Sequence, residues 1–422
     1  MIDHPVSKDP APNLRTRLSI PTLLRRSRSH VLIWLSDPGV RAAVFPFTVS
    51  RVIIVLLLIL ASNFVLKYPE RRFGIDPSES YIELTPESTI DELRRVAVLS
   101  DGGWLYSIAC CGYEPAPFDA LVYHNWAFLP FYPLLWRAVA FFTGGYALTS
   151  VALSTALFFF GLIAVYKTAL AFGEDSGTAE RAVFYLAIFP LSYFFSLPRT
   201  ESLFLLLSAS CFLAARRERW GVAGILGALA CITRVNGILL LPSILILYFQ
   251  QTKRLKLRPA LLWLLLMPLG IIAFMIYLKA HAGNAFAFLD VQAAWGHKTQ
   301  FFLFSIGRYL KSPAMVLEGW DLRVINVGLA LLGLAGGVVL GIRKQWAFAF
   351  YTIASVLLPL STISPGSFQS LGRYVMVVFP LFYVLARAGA SRNVDRTVQV
   401  LFLTLLGVLT VSYGLLLTFA LS

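Results

Sequence analysis

Charge is scarce in this chain. Of 422 residues only 14% are Asp, Glu, Lys or Arg, against about 25% in an ordinary soluble domain, and 58% are hydrophobic. One water-soluble core cannot absorb that surplus. Cysteine is rare, and the four present (Cys110, Cys111, Cys211, Cys231) have neither the paired spacing of a metal site nor the density of a disulfide framework. They are expected to be packing residues. The five histidines (His4, His30, His124, His281, His297) show no ligand spacing, so no bound metal is expected. Acidic residues are outnumbered by basic ones, 22 to 36, giving a formal net charge of +14. The basic residues are scattered among short loops instead of forming one stripe, which argues against a nucleic-acid partner and for a part in setting membrane topology. No apolar core with a small-residue cleavage site follows the basic N-terminal stretch (Arg15, Arg17, Arg25, Arg26, Arg28), so residues 1–43 read as a retained cytoplasmic tail.

What is present is a succession of apolar runs from Val44 onward, each of roughly 15 to 25 residues, enough for a helix to cross about 30 Å of hydrocarbon. The fold class expected is an all-α polytopic membrane protein, with 44–422 as a single transmembrane domain. The first span falls at 44–66, with Arg51 near enough to its start to snorkel toward the headgroups. A long polar stretch follows from Lys67 to about Asn125, too long for a mere connector. The aromatic segment 126–142 contains Pro130, Pro133 and Arg137. If it crossed the membrane, the later clusters Arg216/Arg217/Arg219, Lys253/Arg254/Lys256/Arg258 and Arg343/Lys344 would all face outward, against the usual bias of short cytoplasmic loops. It is therefore read as lying in the interface, which makes 67–142 a first extracytoplasmic loop with interfacial helices. The remaining spans fall at 146–172, 181–197, 201–215, 221–232, 236–249, 259–279, 322–342, 346–362, 371–387 and 398–420, about 11 in all, with the tail inside. The segment after 221–232, Thr233-Arg234-Val235-Asn236-Gly237, reads as the polar tip of a hairpin below the outer surface, tolerated where it lines protein or a watery cavity.

The sharpest constellation runs from Ser100-Asp101-Gly102-Gly103-Trp104 to Ile108-Ala109 and Gly112-Tyr113, with Phe128-Leu129-Pro130-Phe131-Tyr132-Pro133 downstream. A hydroxyl attacking an anomeric carbon needs a group to take its proton, and Asp101 is the candidate. Trp104 and the other aromatics are candidates to stack on sugar faces. The alternatives are that Asp101 caps a helix beginning near Gly103 and that the aromatics form an interfacial belt. A second constellation places Arg199 and Glu201 in a very short loop between apolar helices, where ionisable groups are expensive unless they pair or work. Arg199 is a candidate for holding a donor phosphate by charge-assisted hydrogen bonds and Glu201 for a second acid. A local Arg–Glu pair with Thr200 as helix cap is the plain alternative. Arg234 and Arg373 fall near outer span ends and suit a bidentate anion contact, with snorkelling or pairing with a structural carboxylate as the alternative. His124 is at most a hydrogen bonder at the edge of such a site.

In this order the motifs resemble the PIG-V-like mannosyltransferases, a family of class C glycosyltransferases with many bacterial members. The matching pieces are Asp101-Gly102-Gly103-Trp104 with Ile108-Ala109 and Gly112-Tyr113; the run Phe128 to Pro133; Phe189-Pro190, Phe195-Ser196 and Glu201-Ser202-Leu203-Phe204; Thr233 to Gly237; Ala287-Phe288-Leu289 with Gln292 and Ala294-Trp295-Gly296; and Arg373-Tyr374 with Phe379-Pro380-Leu381-Phe382. The resemblance implies a multi-pass enzyme of a bacterial inner membrane, independent of metal and cofactor, that uses a polyprenyl- or dolichyl-phosphate sugar, usually mannose. The acceptor would be a glycan, a lipid or a protein, the partners membrane lipids and, as an open question, a small membrane subunit. It places the catalytic aspartate at Asp101. Ser100 departs from the aromatic or basic residue common in relatives, and Cys110-Cys111 stand where relatives often carry polar residues, which leaves the acceptor undefined. The site expected is then Asp101 and Glu201 as catalytic carboxylates, Arg199, Arg234 and Arg373 on the donor phosphate, and Trp104, His124, Asn236 and Tyr374 on the substrate, performing an inverting transfer. The competing class is a transporter or flippase of a lipid-linked or anionic substrate.

Overall fold

The computed structural model describes residues 36–67, 85–252, 258–304, 307, 323–363 and 371–415. The basic tail up to residue 35, the cluster Lys253, Arg254 and Lys256, parts of the expected loop segments and the end of the last expected span lie outside the described residues.

The described chain is helical almost throughout. The helices are α1 (Pro38–Lys67), α2 (Pro86–Ala97), α3 (Asp101–Cys111), α4 (Phe131–Thr143), α5 (Ala147–Ala171), α6 (Ser176–Ala187), α7 (Glu201–Arg216), α8 (Trp220–Cys231), α9 (Leu240–Thr252), α10 (Leu266–Ala282), α11 (Ala287–Asp290), α12 (Arg323–Ile342), α13 (Trp346–Leu360), α14 (Leu371–Met376), α15 (Phe379–Ala388) and α16 (Arg392–Gly414). Two-residue strands β1 (Lys298–Thr299) and β2 (Thr362–Ile363) pair antiparallel. Among the described residues six helical stretches, Pro38–Phe64, Ala147–Ala171, Val235–Thr252, Pro259–Ala282, Ile325–Ile342 and Arg392–Gly414, are long and apolar enough to cross a membrane. Helix α1 buries Val40, Ala43, Ile54 and Ala61 while Val52, Val55, Leu56 and Leu60 stay exposed. A helix apolar on every side belongs in lipid, and the chain is a multi-pass membrane protein.

One end of the bundle is tied by polar links between helix ends. Lys167 bonds Asp37 at 2.7 Å, Arg216 donates to the carbonyl of Ala171, Gln251 to that of Arg216 and Gln250 to that of Lys344, and Arg387 pairs with Glu174. Asp37 precedes α1, whereas Lys167 lies near the end of α5. The intervening segment therefore leaves and returns at the opposite end of the bundle.

Residues 85–146 of that segment form a folded assembly. Thr85 and Ser88 form a reciprocal capping box that starts α2, satisfying two otherwise orphaned donors. Asn125 donates to Ser107 Oγ and the Gly112 carbonyl and accepts from the Glu114 amide. Tyr113 donates to the Phe128 carbonyl, and the Phe118 amide donates to Ala282 at the end of α10. Arg137 explains itself here: its Nε and Nη2 donate to the carbonyls of Ala109 and Ile108 at 2.6 and 3.1 Å, closing the C-terminus of α3 where the helix dipole favours a cation.

Several expectations need correcting. Arg51 does not snorkel. It is buried, donating to the Ser192 carbonyl and Ser196 Oγ at 2.9 Å each, with Phe158 4.7 Å beneath it, because the 192–196 turn offers oxygen acceptors that lipid cannot. Cys110 and Cys111 are joined as a disulfide between neighbours and not simply packed, whereas Cys211 and Cys231 are buried and free. The expected span 181–197 breaks after Ala187 into a 3-10 turn, Ser192–Ser196, since Pro190 removes a donor and disfavours a helical residue before it. Pro380 breaks 371–387 in the same way, ending α14 at Met376.

Candidate active site

Five charged side chains from four segments meet at the end of the bundle opposite the polar ties. Asp101 opens α3, Arg199 and Glu201 flank the start of α7, Arg234 sits in extended backbone between α8 and the 3-10 turn Val235–Leu239, and Arg373 lies in α14. Arg373 bridges the two carboxylates: its Nη1 donates to Asp101 Oδ2 at 2.6 Å and its Nε to Glu201 Oε1 at 2.7 Å. Arg199 Nη1 stands 3.0 Å from Asp101 Oδ2, and Arg234 Nη1 is 2.8 Å from Glu201 Oε1 and donates to Thr200 Oγ1 at 3.0 Å. Thr200 therefore acts as an acceptor for Arg234 and makes no side-chain cap. The guanidinium carbons of Arg199 and Arg373 lie 5.1 and 5.0 Å from the Phe194 ring, and that of Arg234 lies 5.0 Å from Tyr374, favourable placements over aromatic faces.

The backbone around each residue is shaped for this meeting. Ser100 adopts φ 56°, ψ −126°, unusual for a residue with a side chain, and turns the chain sharply from α2 into α3. A Cβ on Gly102 would fall 2.8 Å from the Ala97 carbonyl oxygen, so only glycine allows the turn to close. The helix begins at Asp101, two residues earlier than expected. Asp101 does not cap it, because its carboxylate faces the arginines. At the tip carrying Arg234, a Cβ on Gly237 would lie 2.5 Å from the backbone of Ala230 and Cys231, and the hairpin closes only because glycine lacks one.

Burial differs across the cluster. The Arg199 and Glu201 side chains are 0% exposed, Arg373 6% and Arg234 9%, whereas Asp101 is 28% exposed. The cluster opens at Asp101. Burial pushes the Asp101 carboxyl up, but Arg373 and Arg199, with Arg234 behind them, outweigh it and hold the group well below the usual carboxylate range. Three guanidiniums face two carboxylates, which leaves one positive charge unmatched among these five residues. Arg199 Nε and Nη1, Glu201 Oε2 and both polar atoms of Asn236 have no hydrogen-bond partner; the Arg199–Asp101 contact is close but not aligned as a hydrogen bond. Orphaned polar atoms at this depth are costly.

The other expected residues are placed as follows. Trp104, one turn along α3 from Asp101, stacks on Phe128 at 6.4 Å and meets Trp295 edge-on at 5.9 Å. Tyr374 underlies Arg234, and Asn236 is buried two residues beyond it. His124 is not drawn into the charged cluster: its Nδ1 pairs with Glu114 Oε2 at 2.5 Å and its ring stacks on Trp126 at 4.1 Å. Among the described residues no three His, Cys, Asp or Glu side chains converge as metal ligands. Sequence reasoning missed Phe194 as a platform, Glu114 as the partner of His124, and the pair His297–Gln292, joined from Nδ1 to Oε1 at 2.8 Å. For that pair the five-residue separation was the only signal, and it is a common one.

No family model and no curated protein matches the chain. Among solved structures it is similar to the oligosaccharyltransferase of Archaeoglobus fulgidus: tethered with an acceptor peptide (TM-score 0.46, 11% identity, 90% of this chain and 56% of that one), in complex with Zn and sulfate (0.44, 13%, 86% and 53%), and with an inhibitory peptide and a dolichol-phosphate (0.43, 11%, 87% and 56%). The chain spans about half the length of those proteins.

Proposed function

We propose that this chain is a membrane glycosyltransferase of the PIG-V-like kind, carrying a hexose, mannose foremost, from a polyprenyl- or dolichyl-phosphate donor to a glycan, lipid or protein acceptor on the non-cytoplasmic face. The observation that carries the reading is the unmatched charge of the buried cluster, together with Arg199, whose guanidinium is fully buried yet keeps two nitrogens without hydrogen bonds. A lipid phosphate would satisfy both deficits at once, through charge-assisted bonds that are about twice as strong as neutral ones. The shorter helices between the two ends of the bundle, α6, α7, α8, α13, and α14 with α15 as one broken span, would then also cross the membrane, giving with the six long stretches the eleven spans that the sequence suggests.

In this reading the sugar–phosphate bond breaks as Arg199, Arg234 and Arg373 stabilise the charge gathering on the departing phosphate. Asp101, the exposed edge of the cluster, faces the incoming hydroxyl and the anomeric carbon. Phosphate and carboxylates compete for the same guanidiniums, so donor binding loosens the hold on Asp101 and concentrates negative charge where an oxocarbenium-like centre develops.

A transporter would use the same cluster to bind and release an anion. The folded assembly of 85–146, with its capping box, its closed α3 terminus and its aromatic frame, favours the enzyme, since translocation needs no such platform. Reconstituted protein supplied with radiolabelled polyprenyl-phosphate mannose separates the two. Release of lipid phosphate with label transfer supports the enzyme; a change of leaflet without bond cleavage supports the transporter.

A further inference from the structure

Asp101 is well placed to orient a hydroxyl but poorly suited to take its proton. Two guanidiniums lie within 3.0 Å of one of its oxygens, and a base works best when its pKa lies near the working pH. A second proton acceptor lies on the loop that carries Trp295, whose ring meets Trp104, one turn along α3 from Asp101, at 5.9 Å. His297 follows the left-handed turn at Gly296 (φ 69°), and its backbone amide donates to the Gln292 carbonyl at 3.1 Å. Its Nδ1 meets Gln292 Oε1 at 2.8 Å. In that orientation the amide oxygen can only accept, so Nδ1 carries the ring hydrogen and Nε2 keeps its lone pair. Burial lowers the imidazole pKa while the Asp101 charge pulls it back up.

Two residues before it, Trp295 joins an aromatic frame. It meets Tyr123 at 4.9 Å, Trp104 at 5.9 Å and Phe128 at 6.4 Å, each edge-on. Tyr123 is exposed and the other three are partly exposed. The frame is built from α3, which Asp101 opens, and from the segments around 123, 128 and 295. A pyranose presents C–H groups on its faces and hydroxyls on its rim, which fits an aromatic surface beside a lone-pair nitrogen.

We propose that His297, oriented by Gln292, takes the proton of the acceptor hydroxyl, and that the frame of Trp104, Tyr123, Phe128 and Trp295 holds a carbohydrate acceptor. This rests on the glycosyltransferase reading. The anomeric C–O bond to phosphate breaks with its electron pair on the phosphate oxygen. The acceptor oxygen forms the new bond to that carbon from the opposite face. Its proton moves to His297 Nε2 and then to the released lipid phosphate or to water.

The test uses the full-length purified protein, polyprenyl-phosphate [14C]mannose as donor and octyl α-mannopyranoside as acceptor probe, with and without the acceptor. His297→Ala is expected to bind donor as the unaltered protein does, to lose about 100-fold or more in turnover, and to recover part of it in added imidazole. Trp295→Ala is expected to raise the acceptor KM with little effect on that of the donor. If His297→Ala cannot be purified in folded form, Gln292→Leu decides: a fall in kcat at unchanged donor affinity is expected, and unchanged kcat overturns the proposal. Full turnover by His297→Ala, or a loss that imidazole does not relieve, overturns the base while leaving the function intact. An unaltered protein that neither binds nor cleaves the donor sinks the function, and this proposal with it.

Discussion

Asp101 and Arg373 are 272 positions apart in the chain and 2.6 Å apart in space. The same guanidinium reaches Glu201, so one side chain of α14 binds the loop helix α3 to the start of α7. Removing either acid leaves buried positive charge uncompensated, and breaking a buried pair from one side costs about 3–5 kcal/mol. The two acids should nevertheless behave differently, because Glu201 is fully buried whereas Asp101 sits at the opening.

Asp101→Asn should insert and fold, lower transfer by about 100-fold through loss of the oriented hydroxyl, and bind polyprenyl phosphate more tightly, since a competitor for Arg199 and Arg373 is gone. Equilibrium binding of the labelled lipid, alongside the transfer assay, checks both parts. Weaker phosphate binding by this variant would contradict the competition.

Arg199→Gln should weaken polyprenyl-phosphate binding by about 10- to 150-fold, the equivalent of about 1.5–3 kcal/mol for a hydrogen bond to a charged group. Arg199→Lys should recover only part, because an ammonium lacks the planar fork. Full recovery by lysine would show that charge alone matters there.

Two backbone changes should have opposite signs. Ser100→Gly should stabilise the protein by about 1 kcal/mol, relieving a positive φ that costs about 1–3 kcal/mol against the entropic cost of glycine. Gly237→Ala should destabilise it by about 1–3 kcal/mol through overpacking and weaken donor binding as the tip carrying Arg234 is forced open. Thermal unfolding in detergent reads both; a lower melting temperature for Ser100→Gly would contradict the first.

Acid should act through Asp101. Its pKa in the fold is held below the free value of about 4, so its ionised form contributes stability that is fully present above about pH 4 and lost as the pH falls toward the folded value. Between pH 5 and pH 3 the melting temperature of the unaltered protein should therefore fall more steeply than that of Asp101→Asn. Parallel curves would mean that the pair contributes no linked stability.

The apolar runs made the membrane helices legible, because hydrocarbon demands length and apolarity that sequence displays directly. The breaks inside runs were less legible: Pro190 and Pro380 are visible, but whether a proline kinks a helix or ends it depends on what accepts the freed carbonyls. Each charged residue stood out by its rarity in an apolar setting, yet its partner did not. Arg51 shows why, since the same oddity was resolved by serine hydroxyls and backbone carbonyls of a distant turn. Likewise Arg137 looked like an obstacle to a span until the end of α3 appeared beside it. His297 lay in a polar loop where only a commonplace five-residue separation marks its tie to Gln292.

The central claim is that the lipid phosphate lies among Arg199, Arg234 and Arg373. Photocrosslinking with a polyprenyl phosphate carrying a diazirine next to the phosphate, followed by peptide mapping, tests it most directly. The account predicts adducts around Pro198–Glu201, Thr233–Gly237 and Leu371–Tyr374 that unlabelled polyprenyl phosphate competes away. Competed adducts confined to the opposite end of the bundle, at the cationic hollow lined by Lys167, Arg216 and Arg217, would contradict it.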